Sequence, residues 1–478
     1  MSEDGAPAAS PAAKFITGST LRHVVVMTAT GSIGLIAIFV VDALNLFYIS
    51  LLGQQELAAA VGFAGTLMFF VISISIGFTI ATSAVVARAL GRGDREEAAR
   101  LGGASLVYMG LATTALTAAT WPFLDVLVHA MGARGETATI AVRFLQIVLP
   151  SSPIMGLGMA ASGILRGLGD ARRAMYVTLA GGIAAAILDP LLIFGLGLGI
   201  DGAAITTVLS RFAILGFGIH GASVVHGLVR MPDRARFVAA ARPFFGIGVP
   251  AVLTQLATPV GNTYVTVEMA AFGDSAVAGW AIVGRIIPVA FGVIFALSGA
   301  VGPIIGQNYG ARRYERITQT MRDSLVVTLA YCLVVWGLLA LFAGPIASLF
   351  GATGDARELV IFFCLFAAGS FLFNGALFVA NAAFNNLGFA GMATVFNWGR
   401  STLGVIPFVW IGASHYGYKG IVGGWAIGAT IFGLAAIVAC FRILRRIETR
   451  GGGGDQPLPG PPPAAHSPFS TGKAATLG

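Results

Sequence analysis

Twelve long apolar stretches determine which folds this chain can adopt. Each stretch is long enough for a helix that crosses the hydrocarbon core of a membrane, which takes roughly 20 apolar residues. Their centres lie near residues 37, 72, 113, 152, 186, 214, 256, 292, 332, 370, 402 and 431. Only 10% of the 478 residues are charged, whereas about 25% are charged in a soluble domain. The sequence therefore predicts an all-α membrane protein with twelve transmembrane helices.

The second six stretches repeat the first six. Gly91 corresponds to Gly310 with an offset of 219 residues, and Gly202 corresponds to Gly420 with an offset of 218. A nearly constant offset indicates an internal duplication. Because each copy holds an even number of spans, both copies have the same orientation in the membrane, a plan typical of secondary transporters. We therefore predict two six-helix lobes that are parallel repeats.

Arginines are concentrated in alternate connections between the stretches. Cytoplasmic loops of membrane proteins carry an excess of arginine and lysine, so both termini are predicted to lie in the cytoplasm, with the chain in the bacterial inner membrane. The arginines of these connections are Arg92, Arg95, Arg100, Arg166, Arg172, Arg173, Arg230, Arg234, Arg236, Arg242, Arg312, Arg313, Arg316, Arg442, Arg445, Arg446 and Arg450.

The same features divide the chain into five segments. We predict a cytoplasmic N-terminal tail, a first lobe with TM1–TM6, a cytoplasmic linker, a second lobe with TM7–TM12, and a C-terminal tail whose glycine- and proline-rich sequence predicts disorder. In chain order, these segments are residues 1–20, 21–229, 230–240, 241–446 and 447–478.

The polar residues argue against several other functions. No basic patch interleaved with aromatic residues occurs, so no nucleic-acid partner is expected. Cys332, Cys364 and Cys440 lie in apolar stretches without metal-ligand or CxxC spacing, and we interpret them as packing residues. The six histidines are scattered, and neither HxxxH nor GxSxG occurs. The sequence therefore predicts neither an enzyme nor a cofactor or metal site.

Two aspartates lie deep inside apolar stretches of the first copy. Asp42 lies 11 residues before Gly53 and Asp189 lies 13 residues before Gly202, which places both about 17–20 Å below the outer rim of the membrane. A carboxylate near the bilayer centre costs about 2.5–3.5 kcal/mol, and desolvation favours its neutral acid. Two such groups at one depth can share a proton or bracket a cation.

The second copy does not keep this acidic pair. Asn262 corresponds to Asp42, and Phe408 corresponds to Asp189, so the predicted ion site belongs to the first lobe alone. A structural interpretation is the alternative. In that case Asp42 is hydrogen-bonded within the bundle, for example to Asn45, and the two aspartates act independently.

Other charged residues near the membrane faces are expected to have structural roles. Glu268 and Arg285 flank a short outer turn and are expected to form an ion pair. Arg143, Arg211 and Arg400 lie within a few helical turns of a membrane face. We expect these three to extend towards the interface or to pair with polar groups rather than to contact substrate.

With these residues in view, the chain resembles the multidrug and toxic compound extrusion (MATE) family, on the branch named after the DNA-damage-inducible F protein. The similarity covers roughly residues 20–445. It implies two lobes around a V-shaped cavity, and export of organic, often cationic, compounds coupled to inward movement of H⁺ or Na⁺. The motifs are Val41-Asp42, Ala58-Ala-Ala-Val-Gly62, Ser83-Ala-Val-Val-Ala-Arg-Ala-Leu-Gly-Arg-Gly-Asp94, Leu165-Arg-Gly-Leu-Gly-Asp-Ala171, Leu188-Asp-Pro-Leu-Leu-Ile-Phe-Gly195 and Gly306-Gln-Asn-Tyr-Gly-Ala311.

The resemblance implies roles for individual residues. In this branch the coupling carboxylates belong to helices 1 and 5 and match Asp42 and Asp189, and a polar threonine of helix 6 matches Thr207. The predicted substrate-cavity residues are Asn45, Phe47, Met155, Met159 and Ser162. Packing is the alternative role for Phe47, Met155 and Met159.

The chain departs from the family pattern at four positions. Ala185 and Ser162 stand where relatives often have asparagine, and Met27 stands in place of a proline of helix 1. The glutamate that the family's other branch carries in helix 7 corresponds to Thr258. No cation site is therefore expected in the second lobe.

Together these features predict a secondary active multidrug efflux transporter that exchanges organic compounds for H⁺. A Na⁺-coupled drug antiporter and a flippase for lipids or lipid-linked sugars are the alternatives. A flippase needs a cationic cavity for phosphate, whereas the first lobe is acidic. The expected partners are small organic substrates and membrane lipid, and the protein is expected to be a monomer.

Overall fold

Helices that cross the membrane account for nearly all of the described chain. The computed structural model describes residues 13–50 and 55–451, with side chains except at positions 42, 43, 46, 47, 50, 55, 58, 450 and 451. No strand occurs among the described residues. Eleven stretches are long and apolar enough to span a membrane, and the last, Ala390–Thr449, contains two spans that meet at Gly417, where φ is 61°. The predicted twelve-helix membrane fold is therefore confirmed.

The helices of the first half form six spans. Span 3 joins α3 with α4, and span 4 joins α5 with α6. The helices are α1 (Thr20–Ser50), α2 (Gln55–Gly91), α3 (Arg95–Thr120), α4 (Leu124–Ala130), α5 (Gly135–Val148), α6 (Ser152–Leu168), α7 (Ala171–Pro190) and α8 (Gly199–Ile219).

The helices of the second half follow the same plan. Span 9 joins α11 with α12, and span 10 joins α13 with α14. The helices are α9 (Arg234–Ala270), α10 (Asp274–Gly310), α11 (Tyr314–Leu341), α12 (Ala343–Leu349), α13 (Gly354–Leu365), α14 (Phe371–Leu387), α15 (Ala390–Ser401) and α16 (Ile406–Gly451).

Three spans contain breaks in the regular α-helical hydrogen bonding of the backbone. Pro190 is the last α-helical residue of span 5 and is followed by the π-helical turn Leu191–Gly195. Proline has no N–H for the helix, so the regular hydrogen-bond pattern cannot continue through it. Spans 4 and 10 are interrupted by the 3₁₀ turns Leu149–Ser151 and Ala367–Ser370. The two turns occupy equivalent positions of the repeat, so the break is duplicated.

The two halves pack around an approximate two-fold axis. α1 packs against α10, and α2 packs against α9 and α10. In the repeat α9 is the counterpart of α1, and α10 is the counterpart of α2. The contact of α1 with α10 is therefore equivalent to that of α2 with α9, as in an isologous interface between two copies of one subunit.

Glycines bring the halves together at one end of the bundle. A Cβ added to Gly91 would lie 2.1 Å from the carbonyl oxygen of Gln307, and one added to Gly310 would lie 2.2 Å from the carbonyl oxygen of Arg88. Only glycine permits such a close backbone approach. We call this end the basic face, and it carries segments 13–18, 92–94, 169–170, 226–233, 311–313 and 388–389.

Hydrogen bonds across this contact follow the same symmetry. Arg88 donates from Nε to the carbonyl oxygen of Asn386 at 3.0 Å and from Nη2 to that of Asn385 at 2.9 Å. Its counterpart Gln307 donates from Nε2 to the carbonyl oxygen of Gly167 at 2.8 Å. We call these bonds the latch. All described hydrogen bonds between the halves lie towards the basic face, which is therefore the closed side.

Residues 13–18 cover the latch on the basic face. Phe15 is only 1% exposed, and its N–H donates to Oε1 of Gln307 at 2.9 Å. Arg316 donates from Nη2 to the carbonyl oxygen of Phe15 at 2.9 Å. Lys14 donates to the carbonyl oxygen of Gly169 in the first half at 3.1 Å. This part of the predicted N-terminal tail is thus packed against both lobes. Residues 1–12 and the predicted C-terminal tail from position 452 lie outside the described residues.

Asp170 stabilises the start of α7 at the basic face. Its carboxylate accepts a hydrogen bond from the N–H of Arg173 at 3.1 Å, and forms contacts of 2.6 Å with Arg173 Nη1 and 2.8 Å with His226 Nε2. Burial raises the pKa of the Asp170 carboxyl, but the hydrogen bonds from Arg173 and His226 outweigh it. The pKa is therefore lowered from its ordinary value of 3.8.

Replacing Asp170 with asparagine is expected to lower the free energy of unfolding at pH 7 by about 1 kcal/mol, because the ionic contacts are lost while the helix cap is kept. A depressed carboxyl pKa stabilises the fold above the unfolded-state pKa, and this stability is lost as pH falls through the folded pKa. Thermal unfolding should therefore separate wild type from Asp170→Asn at pH 7, and the difference should shrink as pH falls below 3.8. Asp125→Asn, which removes an exposed pair with His129, should match wild type at both pH values.

Candidate ion-coupling and substrate site

The carboxyl group of Asp189 lies in the interior of the first lobe. Asp189 is the penultimate residue of α7, directly before the proline that ends the helix. Its side chain is only 1% exposed. None of the described ion pairs includes it. A buried carboxylate without a cationic partner is costly unless it takes up a proton or a cation.

Three helices contribute polar groups around this carboxyl. Asn45 of α1 donates from Nδ2 to Oδ2 of Asp189 at 2.9 Å. The hydroxyl of Thr206 in α8 faces the same carboxyl, and Thr206 is itself only 1% exposed. Oδ1 of Asp189 is buried without a hydrogen-bond partner. This oxygen is the position that is open to a proton or a bound cation.

The backbone of α1 includes the other predicted coupling residue. Asp42 lies in α1 three residues before Asn45, and its side chain lies outside the described residues, as does that of Phe47. Asn45, which we considered as a hydrogen-bond partner for Asp42, donates its described bond to Asp189 instead. The roles of Asp42 and Phe47 therefore stay predictions from the sequence.

The other predicted residues are distributed over α6 and α8. Thr207 donates to the carbonyl oxygen of Ala203 in its own helix at 3.0 Å, and the threonine that faces Asp189 is its neighbour Thr206. Met155 and Ser162 are buried in α6, and the hydroxyl of Ser162 has no partner. Met159 of the same helix is partly exposed. No described hydrogen bond connects α6 with Asp189.

The membrane arginines of both lobes contact polar groups, as we expected. Arg143 forms an exposed ion pair with Asp201. Arg211 is buried and donates from Nη1 to the carbonyl oxygen of Val148 at 2.9 Å and to Ser151 Oγ at 2.8 Å. It thereby holds the 3₁₀ break of span 4.

The expected ion pair between Glu268 and Arg285 is absent from the described contacts, which extend to 4.0 Å. Glu268 lies beside Tyr264 instead. Both are on α9, one helical turn apart, whereas Arg285 is on α10. Side chains four residues apart on one helix are always neighbours. Contact between side chains of two helices depends on how each helix is rotated about its axis.

Arg400 is a buried cation in the second lobe. It is 6% exposed and donates from Nη2 to the hydroxyl of Thr258 at 2.9 Å, while its Nε is buried without a partner. No carboxylate pairs with it among the described residues. Thr258 is the position at which the family's other branch has a glutamate. Among the described residues, the first lobe therefore holds a buried carboxyl group and the buried guanidinium of Arg211, and the second lobe holds the buried guanidinium of Arg400.

A duplicated bundle of twelve membrane spans defines a polytopic membrane transporter when it also holds a buried acid without an ion pair, which among the described residues only the first lobe does. The MatE family profile matches residues 32–191 and 250–411, which are equivalent parts of the two halves. The chain therefore belongs to the MATE family of membrane transporters, and its activity is transport rather than the catalysis of a reaction.

Relatives and solved structures support this assignment over almost the whole chain. The chain is 30% identical to the FAD transporter of Shewanella oneidensis, over 88% of this chain and 93% of that protein. It is 25% identical to the multidrug export protein MepA of Staphylococcus aureus, over 87% and 92% respectively. A crystal structure of the Vibrio cholerae MATE transporter VcmN in the bent form has a TM-score of 0.84 at 26% identity, over 90% of this chain and 98% of that one.

Proposed function

We propose that this protein exports organic, often cationic, compounds by antiport with protons, through Asp42 and Asp189. The observation that carries the proposal is the carboxyl of Asp189, which is buried in the first lobe with one oxygen bonded to Asn45 and the other without a partner. Phe408 occupies the equivalent position of the second lobe. Among the described residues only the first lobe holds a buried carboxyl group, which gives the transporter a single place where proton and substrate compete.

The exchange follows from charge. Protons that reach Asp42 and Asp189 from the open side remove the negative charge that holds an organic cation, so the cation leaves. The empty, protonated protein then opens at the basic face, where the acids release their protons and the site binds a new cation. An intramembrane acid is suited to this role because burial makes its charged form depend on the bound partner.

The orientation of the cycle follows from the arginines. The basic face carries most of the arginine-rich connections, and such connections lie in the cytoplasm. We place this face and both termini in the cytoplasm of a bacterial cell, with the protein in the inner membrane as a monomer. The described conformation, closed at the basic face, is then the one that takes up protons from outside.

Arg400 supports a second candidate, the export of organic anions. A buried guanidinium without a carboxylate partner attracts a negatively charged group, and the relative from Shewanella oneidensis is named as a transporter of FAD, an anionic dinucleotide. The relative from Staphylococcus aureus is named as a multidrug export protein. The carboxyl group of Asp189 in the first lobe favours cations, and the guanidinium of Arg400 in the second lobe favours anions.

Transport in proteoliposomes should distinguish these candidates. We expect a pH gradient alone to drive accumulation of a fluorescent organic cation such as ethidium, and a sodium gradient alone to drive none. Asp42→Asn should abolish the proton-driven accumulation. A parallel assay with FAD in place of ethidium tests the anion candidate, and Arg400→Gln should affect FAD transport alone.

Two results would contradict the proton mechanism. One is accumulation that follows the sodium gradient and ignores pH. The other is a wild-type rate for Asp42→Asn in the pH gradient. Asp201→Asn, which removes an acid from an exposed ion pair with Arg143, serves as the matched control and should transport like wild type.

A further inference from the structure

A small cavity lies between the two lobes near the latch. Its volume is about 50 Å³, and it is lined by residues of α2, α6, α10 and α14, so each lobe supplies two helices. The lining residues that matter here are Thr79, Ser83, Arg166, Ser298, Asn385 and Asn386.

The cavity lies on the approximate two-fold axis. The offset of 219 residues relates Thr79 of α2 to Ser298 of α10, and Arg166 of α6 to Asn385 of α14. Equivalent residues of the two repeats therefore face each other across the cavity. Both lobes add polar residues to a lining that is otherwise apolar, but only the first lobe supplies a charge.

Arg166 is the single charged residue among those that line the cavity. A Cβ on Gly299 would lie 3.4 Å from its Nη1, so this glycine leaves room for the guanidinium. No described hydrogen bond or ion pair includes the side chain of Arg166. Arg166 is partly exposed, and a guanidinium does not lose its proton in proteins. The cavity is therefore lined by a permanent charge that no described counter-ion neutralises.

Hydrogen-bond donors surround the same space. The hydroxyl of Ser83 is buried without a partner, and Ser298 and Asn385 add a hydroxyl and a side-chain amide. Hydroxyl and amide groups can all donate, and no carboxylate lines the cavity. Thr79 and Asn386 donate within their own helices, and the side-chain oxygens of Asn385 and Asn386 are buried without partners. A permanent cation beside the free hydroxyl of Ser83 can still bind an anion.

We propose that this cavity binds one small inorganic anion of about the size of chloride, and that the anion stabilises the conformation closed at the basic face. A water molecule takes up about 30 Å³ in the liquid, so a cavity of this volume holds a monatomic ion but not an organic substrate. Because both lobes form its walls, the site exists only while the lobes are in contact there. A ligand that binds one conformation shifts the equilibrium towards it.

The test is thermal unfolding of the purified full-length protein in detergent, with sodium chloride replacing sodium gluconate at constant ionic strength. We expect chloride to raise the unfolding temperature of wild type saturably, by about 2–4 °C. Arg166→Ala should abolish this shift, and Arg166→Lys should retain part of it. Arg143→Ala, which changes an exposed arginine of an ion pair, should keep the full shift.

A second measurement locates the ion directly. Crystals soaked in sodium bromide should show an anomalous peak beside the Arg166 guanidinium, and this readout remains if Arg166→Ala does not fold. The proposal is wrong if chloride has no saturable effect on wild type, if Arg166→Ala responds as wild type does, or if the bromide peak is absent. An equal shift with sodium acetate would assign the site to carboxylates and would equally overturn it. None of these measurements needs an ion gradient or a transported compound.

Discussion

Replacing Asp189 with asparagine should reduce proton-driven export by roughly tenfold or more, because an amide cannot exchange a proton within the membrane. The fold should be kept, since the amide has the shape of the carboxyl and its oxygen can still accept the hydrogen bond from Asn45. Uptake of a fluorescent cation into proteoliposomes with an imposed pH gradient measures the loss. Thermal unfolding should show a transition no lower than that of wild type.

The pH dependence of substrate binding provides a sharper measure of the same residue. Binding of an organic cation to wild type should weaken as pH falls, because protons displace it from the acids. In Asp189→Asn this dependence should be reduced, whereas Asp201→Asn on the exposed surface should retain it. A wild-type transport rate for Asp189→Asn would remove Asp189 from the coupling mechanism and leave it a structural residue.

Local sequence signals predicted the parts of the fold that depend on local chemistry. Hydropathy located twelve spans, because the membrane requires about 20 apolar residues for each. The α-helix of span 5 ends at Pro190 for an equally local reason, because a missing N–H acts within one helical turn. The predicted duplication is also confirmed, because Gly91 and Gly310 have equivalent neighbours in the structure.

Contacts between helices were harder to predict. Thr206 rather than Thr207 faces Asp189, because neighbouring residues of a helix point about 100° apart. Arg400 and Thr258 meet although they are far apart in sequence, and nothing local to either residue indicates the other. The predicted repeat did contain a signal for the latch. Arg88 and Gln307 are equivalent positions, and polar residues at equivalent span ends make equivalent contacts with the other copy when two copies pack around an axis.

Placing a leucine at Gly91 should open the basic face and stop transport. The added Cβ would lie 2.1 Å from the carbonyl oxygen of Gln307, and this atom belongs to a helix backbone that cannot rotate away. Overpacking of this kind costs about 1–3 kcal/mol, and about 1.4 kcal/mol already changes a conformational equilibrium tenfold. The closed conformation should therefore lose most of its population, because the alternative conformation does not need the contact.

Spin labels on the basic face measure this shift. Arg92→Cys and Arg313→Cys place one label on each lobe, and the three native cysteines are buried. Wild type should give mainly short distances between the labels, and Gly91→Leu mainly longer ones. Gly246→Leu adds the same side chain to α9 where nothing lies within 4 Å of the new Cβ, and it should keep the short distances.

The internal symmetry makes the prediction stricter. A Cβ added to Gly310 would lie 2.2 Å from the carbonyl oxygen of Arg88, just as one added to Gly91 would lie 2.1 Å from that of Gln307. Gly310→Leu should therefore open the basic face to the same extent, although it lies in the other lobe. An effect from one substitution without the other would mean that closure is not symmetric. In that case the latch of one lobe would hold the basic face shut, and the acid of the first lobe would not be the only functional difference between the two repeats.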